Sequence, residues 1–167
     1  MKTPTYLQRR AVLLLAFALT VTGRAYPQKT ATPPQADASY QRGMTALQHG
    51  DLAAARAAFE LAVKLAPASP EAHNSLGWTL LSEGNPDGAI IQFKLALKLK
   101  PNYLEAHINL ANALARKRDL DGAEAEAKEA VRLDPNSSEA HRTLGRVLSF
   151  REDLQSATTE LARAVKL

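Results

Sequence analysis

Residues 70–103 read PEAHNSLGWTLLSEGNPDGAIIQFKLALKLKPNY, and residues 104–137 follow as LEAHINLANALARKRDLDGAEAEAKEAVRLDPNS. The two stretches are equally long and carry the same landmarks in the same places. Glu-Ala-His stands at 71–73, 105–107 and 139–141. Pro67, Pro101 and Pro135 recur 34 residues apart, as do His73, His107 and His141. A fixed period of this length, held over several landmarks, marks a chain built from stacked copies of one small unit. Cutting at the period gives 36–69, 70–103, 104–137 and a shorter last copy, 138–167.

Each copy reads as two helices. In the second, Leu76-Gly77 and Leu80 lie one turn apart, and Ala89, Phe93 and Ala96 then repeat at helical spacing. Pro101 closes the unit, because proline cannot continue a helix and restricts the residue before it. The third copy offers Leu110-Ala111, Leu114, Ala123, Ala127 and Ala130, and the fourth Leu144-Gly145, Leu148, Ala157, Leu161 and Ala164. The first is weaker, with Arg42-Gly43 and Ala46, then Ala55, Phe59 and Ala62. Gly43, Gly77, Ala111 and Gly145 are expected where the two helices of a unit cross, answered by Ala55, Ala89, Ala123 and Ala157. Axes roughly 8–10 Å apart leave little room there beyond a methyl group. Two of the turns pair a helix-stop glycine with a helix-start Asp or Asn, at Gly50-Asp51 and Gly84-Asn85. The other two keep only the acid, at Asp119 and Asp153.

These landmarks resemble the tetratricopeptide repeat family, whose pattern runs W-x2-L-G-x2-Y, then A-x3-F, then P. The resemblance covers 36–167. It implies an all-α fold, an α-solenoid of four tandem helix-turn-helix repeats whose eight helices wind into a right-handed superhelix. Two departures stand out. The family's Trp/Leu position holds Ser39, His73, His107 and His141, and the second-helix aromatic is Ala127 in the third copy and Leu161 in the fourth. The second departure is expected to loosen packing in the C-terminal half.

Residues 1–25 pose a different problem. Lys2, Arg9 and Arg10 precede an uncharged apolar run from Ala11 to Val21, and Gly23 and Ala25 are placed for cleavage before Tyr26. That is the layout of a secretory signal peptide. The run is short of the roughly 20 residues a membrane span needs, so an uncleaved N-terminal membrane anchor is the alternative. Residues 26–36, rich in proline, threonine and glutamine, read as a linker. The expected location is therefore periplasmic or secreted, with no membrane attachment after cleavage. The formal charge of +4 is supplied entirely by Lys2, Arg9, Arg10 and Arg24, since 1–25 holds no acid. The remainder is neutral, which gives no support to nucleic-acid binding. With no cysteine in the chain, attachment through a lipidated cysteine is excluded.

No enzyme constellation is present. There is no cysteine nucleophile, no G-x-S-x-G and no phosphate-cradling glycine pattern, so neither catalysis nor a cofactor is expected. The phased histidines invite a metal reading, but each lies in a different unit. Equivalent positions are separated by two packed helices, on the order of 10 Å or more, whereas zinc holds its nitrogen ligands at about 2 Å. A half-buried ring wedged between the helices of its own unit is the expected role. Glu71, Glu105 and Glu139 fall in first turns, where a carboxylate favours the positive helix end.

The family resemblance implies a concave groove lined by the first helices, at positions 5, 9 and 12 of each copy. These are Tyr40, Met44 and Leu47; Asn74, Trp78 and Leu81; Ile108, Asn112 and Ala115; Arg142, Arg146 and Ser149. The surface grades from aromatic and aliphatic to asparagine and arginine. Asn74 and Asn112 can pair with a peptide backbone, Arg142 and Arg146 with a carboxylate, and Tyr40 and Trp78 are anchor types of binding hot spots. Trp78 packed inside the stack and the arginines simply solvated is the competing reading. One family branch grips chaperone C-termini with a Lys/Asn/Lys/Arg set. Here only Asn109 matches, and Glu139 puts an acid where that clamp needs a base. A protein or peptide partner is expected, for a scaffold or adaptor. Self-assembly and service as an enzyme's accessory subunit are the alternatives. Family members usually end in an extra solvating helix, so Leu161, Val165 and Leu167 are expected near an open end available to a second copy.

Overall fold

The computed structural model describes residues 33–167. These form eight helices, α1 (Pro34–Gln48), α2 (Leu52–Leu65), α3 (Pro70–Ser82), α4 (Pro86–Leu99), α5 (Leu104–Arg116), α6 (Leu120–Leu133), α7 (Ser138–Phe150) and α8 (Leu154–Lys166). They pair as α1/α2, α3/α4, α5/α6 and α7/α8, and each pair stacks on the next. The result is an all-α solenoid of four units, cut where the period cuts the sequence. Residues 1–25 and most of the linker lie outside the described residues. The linker loses its last three residues to α1, because Pro34 opens that helix at a position where proline's missing N–H costs nothing. None of the described helices is long and apolar enough to cross a membrane.

One turn design serves all four units. The residue before each second helix's cap is left-handed: Gly50 at φ 73°, Gly84 at 84°, and Arg118 and Glu152 both at 65°. The next residue caps the helix. Asp51, Asn85, Asp119 and Asp153 accept the backbone N–H three residues on, at 2.9, 2.9, 3.0 and 3.1 Å. Glycine marks this turn in only two copies, yet the backbone conformation is common to all.

The small residues of the first helices are required less by the facing alanines than by the side chain one turn further on. A Cβ on Gly43 would sit 2.5 Å from Cε1 of Phe59, and one on Gly77 2.6 Å from Cε1 of Phe93. On Gly145 it would meet Cγ of Leu161 at 2.8 Å. In the third unit the ring is replaced by Ala127, and the glycine becomes Ala111. Both are fully buried, in one cluster with Leu144 and Leu148 of the next unit. The two departures from pattern at 111 and 127 are thus one steric exchange, and the site stays closed.

The histidines are buried, more deeply than expected. His73, His107 and His141 each place Nε2 2.9–3.0 Å from the carbonyl oxygen of Pro67, Pro101 and Pro135, at the end of the preceding unit. Their Nδ1 atoms face Gln92 Oε1 at 2.8 Å, Glu126 Oε2 at 2.6 Å and Glu160 Oε2 at 2.5 Å on the second helix of their own unit. At His107, burial pushes the ring's pKa down, but hydrogen bonds to Glu126 and to the Pro101 carbonyl, with the charges of Glu126 and Glu129, raise it above the ordinary value. The first unit has Ser39 in this place, which donates to Gln35 of its own helix instead.

Candidate functional site

The first helices α3, α5 and α7 lie side by side, and polar side chains stitch their shared face. Ser75 Oγ donates to Tyr40 Oη at 3.3 Å, bringing α1 into the same row. Asn109 Nδ2 donates to Asn74 Oδ1 at 3.0 Å, and Arg146 donates to Asn112. Arg116 Nη1 donates to the Leu81 carbonyl at 2.9 Å. Every bond spans 34 or 35 residues, one period, so each links a unit to its neighbour.

Of the residues assigned to this face, Trp78 is the most open apolar one, 43% exposed. Tyr40, Met44, Asn74 and Asn112 are half-buried, while Arg142 and Arg146 are exposed. Two assignments are corrected. Leu81 is 6% exposed and packs with Phe93, Leu110 and Leu114 in the joint between the second and third units. Ile108 is 4% exposed and packs with Ala130 and Ala140. Ala115 is buried as well. The cause is side-chain length and polarity. At position 5, tyrosine, asparagine and arginine reach out of the joint. An isoleucine beside the small Ala140 folds down into it, where its apolar surface leaves water.

Arg142 and Arg146 do not converge. Arg142 Nη2 pairs with Glu139 of its own helix at 3.2 Å, while Arg146 reaches back to Asn112. Both pairings are at the surface, where such contacts are weak and replaceable.

Tyr103 belongs beside these residues. It precedes α5, the Lys100 ammonium lies 4.3 Å from its ring centroid, and Lys100 also faces Glu71 at 3.9 Å. Its hydroxyl pKa is pushed up to about 12, first by burial and then by the charges of Glu105, Glu71 and Tyr40, against a hydrogen bond with Asn74 that works the other way. Tyr40, Asn74 and Tyr103 therefore form one aromatic and amide cluster at the start of the first helices. A crevice of about 230 Å³ opens beside Tyr40, lined also by Asp37, Ser69 and Glu71. Among the described residues no group of three His, Asp or Glu side chains is arranged to hold a metal ion.

Family models for the tetratricopeptide repeat match residues 40–104 and 80–147, which together span three of the four units and enter the last. The chain is a tetratricopeptide-repeat protein. No curated protein sequence matches it significantly. Among solved structures, the repeat protein is similar to TTC0263, a thermophilic TPR protein in Thermus thermophilus, at 26% identity and a TM-score of 0.73, covering 79% of this chain and 74% of that one. It is similar to MamA at 20% identity and a TM-score of 0.72, covering 81% and 80%. YrrB, a TPR protein with an unusual peptide-binding site, aligns at 24% identity and a TM-score of 0.69, covering 78% and 68%.

Proposed function

We propose that this is a non-catalytic interaction protein that grips a peptide or protein segment on the shared face of its first helices, exported by the leader at 1–25. The observation that carries the reading is Trp78. A large aromatic ring left nearly half exposed, among groups stitched by polar contacts, is an anchor without an occupant. The partner's apolar part would lie over Tyr40, Met44 and Trp78, and its acidic part near Arg142 and Arg146. An arriving carboxylate would exchange with Glu139 for Arg142, an exchange between exposed groups that costs little. The peptide-binding site named for YrrB is consistent with this use of the fold, although at that identity the likeness supports the fold alone.

Trp78 is the chain's only tryptophan, which makes the test direct. Peptides selected against the chain from a random display library are titrated while tryptophan emission is followed. Binding on this face shifts the emission to shorter wavelength, and Trp78→Ala weakens binding by about 2 kcal/mol or more, the hot-spot range. Selected peptides that bind without changing emission, and bind Trp78→Ala as well as wild type, would refute the reading.

A further inference from the structure

Each inner joint of the solenoid is a seat for one helix. The floor of the seat comes from the preceding second helix: Phe59 and Val63, then Phe93 and Leu97, then Ala127 and Val131. The incoming first helix meets it with two leucines one turn apart, Leu76 and Leu80, Leu110 and Leu114, Leu144 and Leu148. An alanine one turn earlier, Ala72, Ala106 or Ala140, is buried each time. The seated helix thus has the pattern Ala-x3-Leu-x3-Leu.

The fourth unit carries the same floor. Leu161 and Val165 occupy the places of Phe59 and Val63, and Ala164 that of the buried Ala62, Ala96 and Ala130. Here the floor is open: Leu161 is 37% exposed and Val165 87%. The groove between α7 and α8 measures about 450 Å³ and is rimmed by Ser138, Glu139 and Arg142. Three inner copies of this surface show what kind of helix it fits.

Two details narrow the occupant. At the inner joints the last turn of the incoming helix also pairs by charge with the floor helix, Glu83 with Arg56, Lys117 with Asp87, and Arg151 with Asp121 and Glu124. The matching places on α8 hold Gln155 and Thr158, so a charge there gains nothing. The chain's own α1 carries Arg42 and Ala46 where the other first helices carry the two leucines, on a face with Gln41 and Thr45. Seating it on a second copy would press a guanidinium onto Leu161 and Val165 with no acid opposite, which is costly. The chemistry therefore favours a different protein over a head-to-tail stack of this one.

We propose that α7 and α8 form a second docking surface, independent of the Trp78 face, for an amphipathic Ala-x3-Leu-x3-Leu helix of a partner protein with an uncharged last turn. The probe is a fluorescein-labelled peptide of residues 138–150, held helical by a staple on its solvent side, titrated into the full chain by anisotropy. It should bind saturably, one to one. Val165→Asp changes an exposed residue, so the fold is retained, which circular dichroism checks. It should weaken binding at least tenfold, the factor for about 1.4 kcal/mol of lost apolar burial. Leu144→Asp in the peptide should do the same, and Trp78→Ala in the chain should do nothing. Absence of saturable binding, or equal binding by Val165→Asp, overturns the proposal. Sedimentation showing wild-type oligomers that Val165→Asp dissociates would give the seat to a second copy and overturn it equally.

Discussion

Gly77→Ala should destabilise the protein, yet stabilise it once Phe93 has been replaced by alanine. The added Cβ would lie 2.6, 2.8 and 3.1 Å from three carbons of the Phe93 ring. That ring is fully buried against Ala89, Leu110 and Leu114 and has nowhere to retreat. Overpacking of this kind costs about 1–3 kcal/mol, and three close carbons place it near the top. Alanine's better helix propensity returns about 1 kcal/mol, leaving a net loss of about 1–2 kcal/mol. Phe93→Ala alone should cost about 3–5 kcal/mol. In that background the clash is gone and only the propensity term remains, so Gly77→Ala should gain up to about 1 kcal/mol. The coupling between the two sites is then about 2–3 kcal/mol, well above the scatter of independent sites. The chain already contains the double replacement, as Ala111 and Ala127. Urea denaturation of the four proteins, followed by circular dichroism in the helical band, measures the cycle. Additivity within about 0.5 kcal/mol would show that the glycine is not there for the ring.

The His107–Glu126 pair gives a pH dependence with a definite sign. A group whose folded pKa is raised contributes fully below its ordinary value and loses that contribution as pH climbs through the folded one. The urea midpoint should fall as pH rises past 6.5, the ordinary histidine value, and Glu126→Gln should flatten that fall. An equal slope in both proteins would contradict the assignment. At the third and fourth turns, Arg118→Gly and Glu152→Gly should each stabilise by about 0.5–1 kcal/mol. The left-handed conformation costs a side-chain-bearing residue about 1–2 kcal/mol, less the entropy glycine adds to the unfolded chain. Calorimetric melting checks both; a lowered melting temperature would refute the gain. Arg142→Glu with Arg146→Glu should weaken an acidic peptide on the Trp78 face mainly at low salt, where charge attraction is least screened. Equal losses at low and high salt would mean the arginines act by packing. Mass spectrometry of the exported protein should find a mature N-terminus near Tyr26, whereas an intact membrane-bound form starting at Met1 would favour the anchor.

The period and the unit boundaries were legible because stacking forces every unit to solve the same packing problem. Proline, glycine and leucine landmarks then recur in phase. The first-helix face was legible in part. A position number fixes which way a Cβ points, and that sufficed for Tyr40, Trp78 and Arg146. It does not fix how deep the side chain settles, which depends on the neighbour across the joint, and so Leu81 and Ile108 were misplaced. Tyr103 was missed because it lies outside the helices, in the last position of its unit. The partners of the histidines were within reach: Gln92, Glu126 and Glu160 each follow their histidine by 19 residues, and the first unit, with Ser39, has Ala58 there. The left-handed residues at Arg118 and Glu152 were hidden because nothing but glycine advertises a positive φ in sequence.

Each histidine ring touches three segments at once: its own first helix, the second helix beside it, and the closing carbonyl of the unit before. Bonds that hold a unit shut and bonds that hold it to its predecessor therefore share one side chain. In a linear array, stability divides into the intrinsic energy of each member and the coupling between nearest neighbours. A shared ring makes those two quantities inseparable from the second unit onward, because loosening either contact strands a buried nitrogen. The first pair of helices has no such ring to close it. Amide exchange should accordingly divide the array into a cooperative block that opens together and an N-terminal pair that opens on its own, and it is that separable pair that carries Tyr40 and Met44.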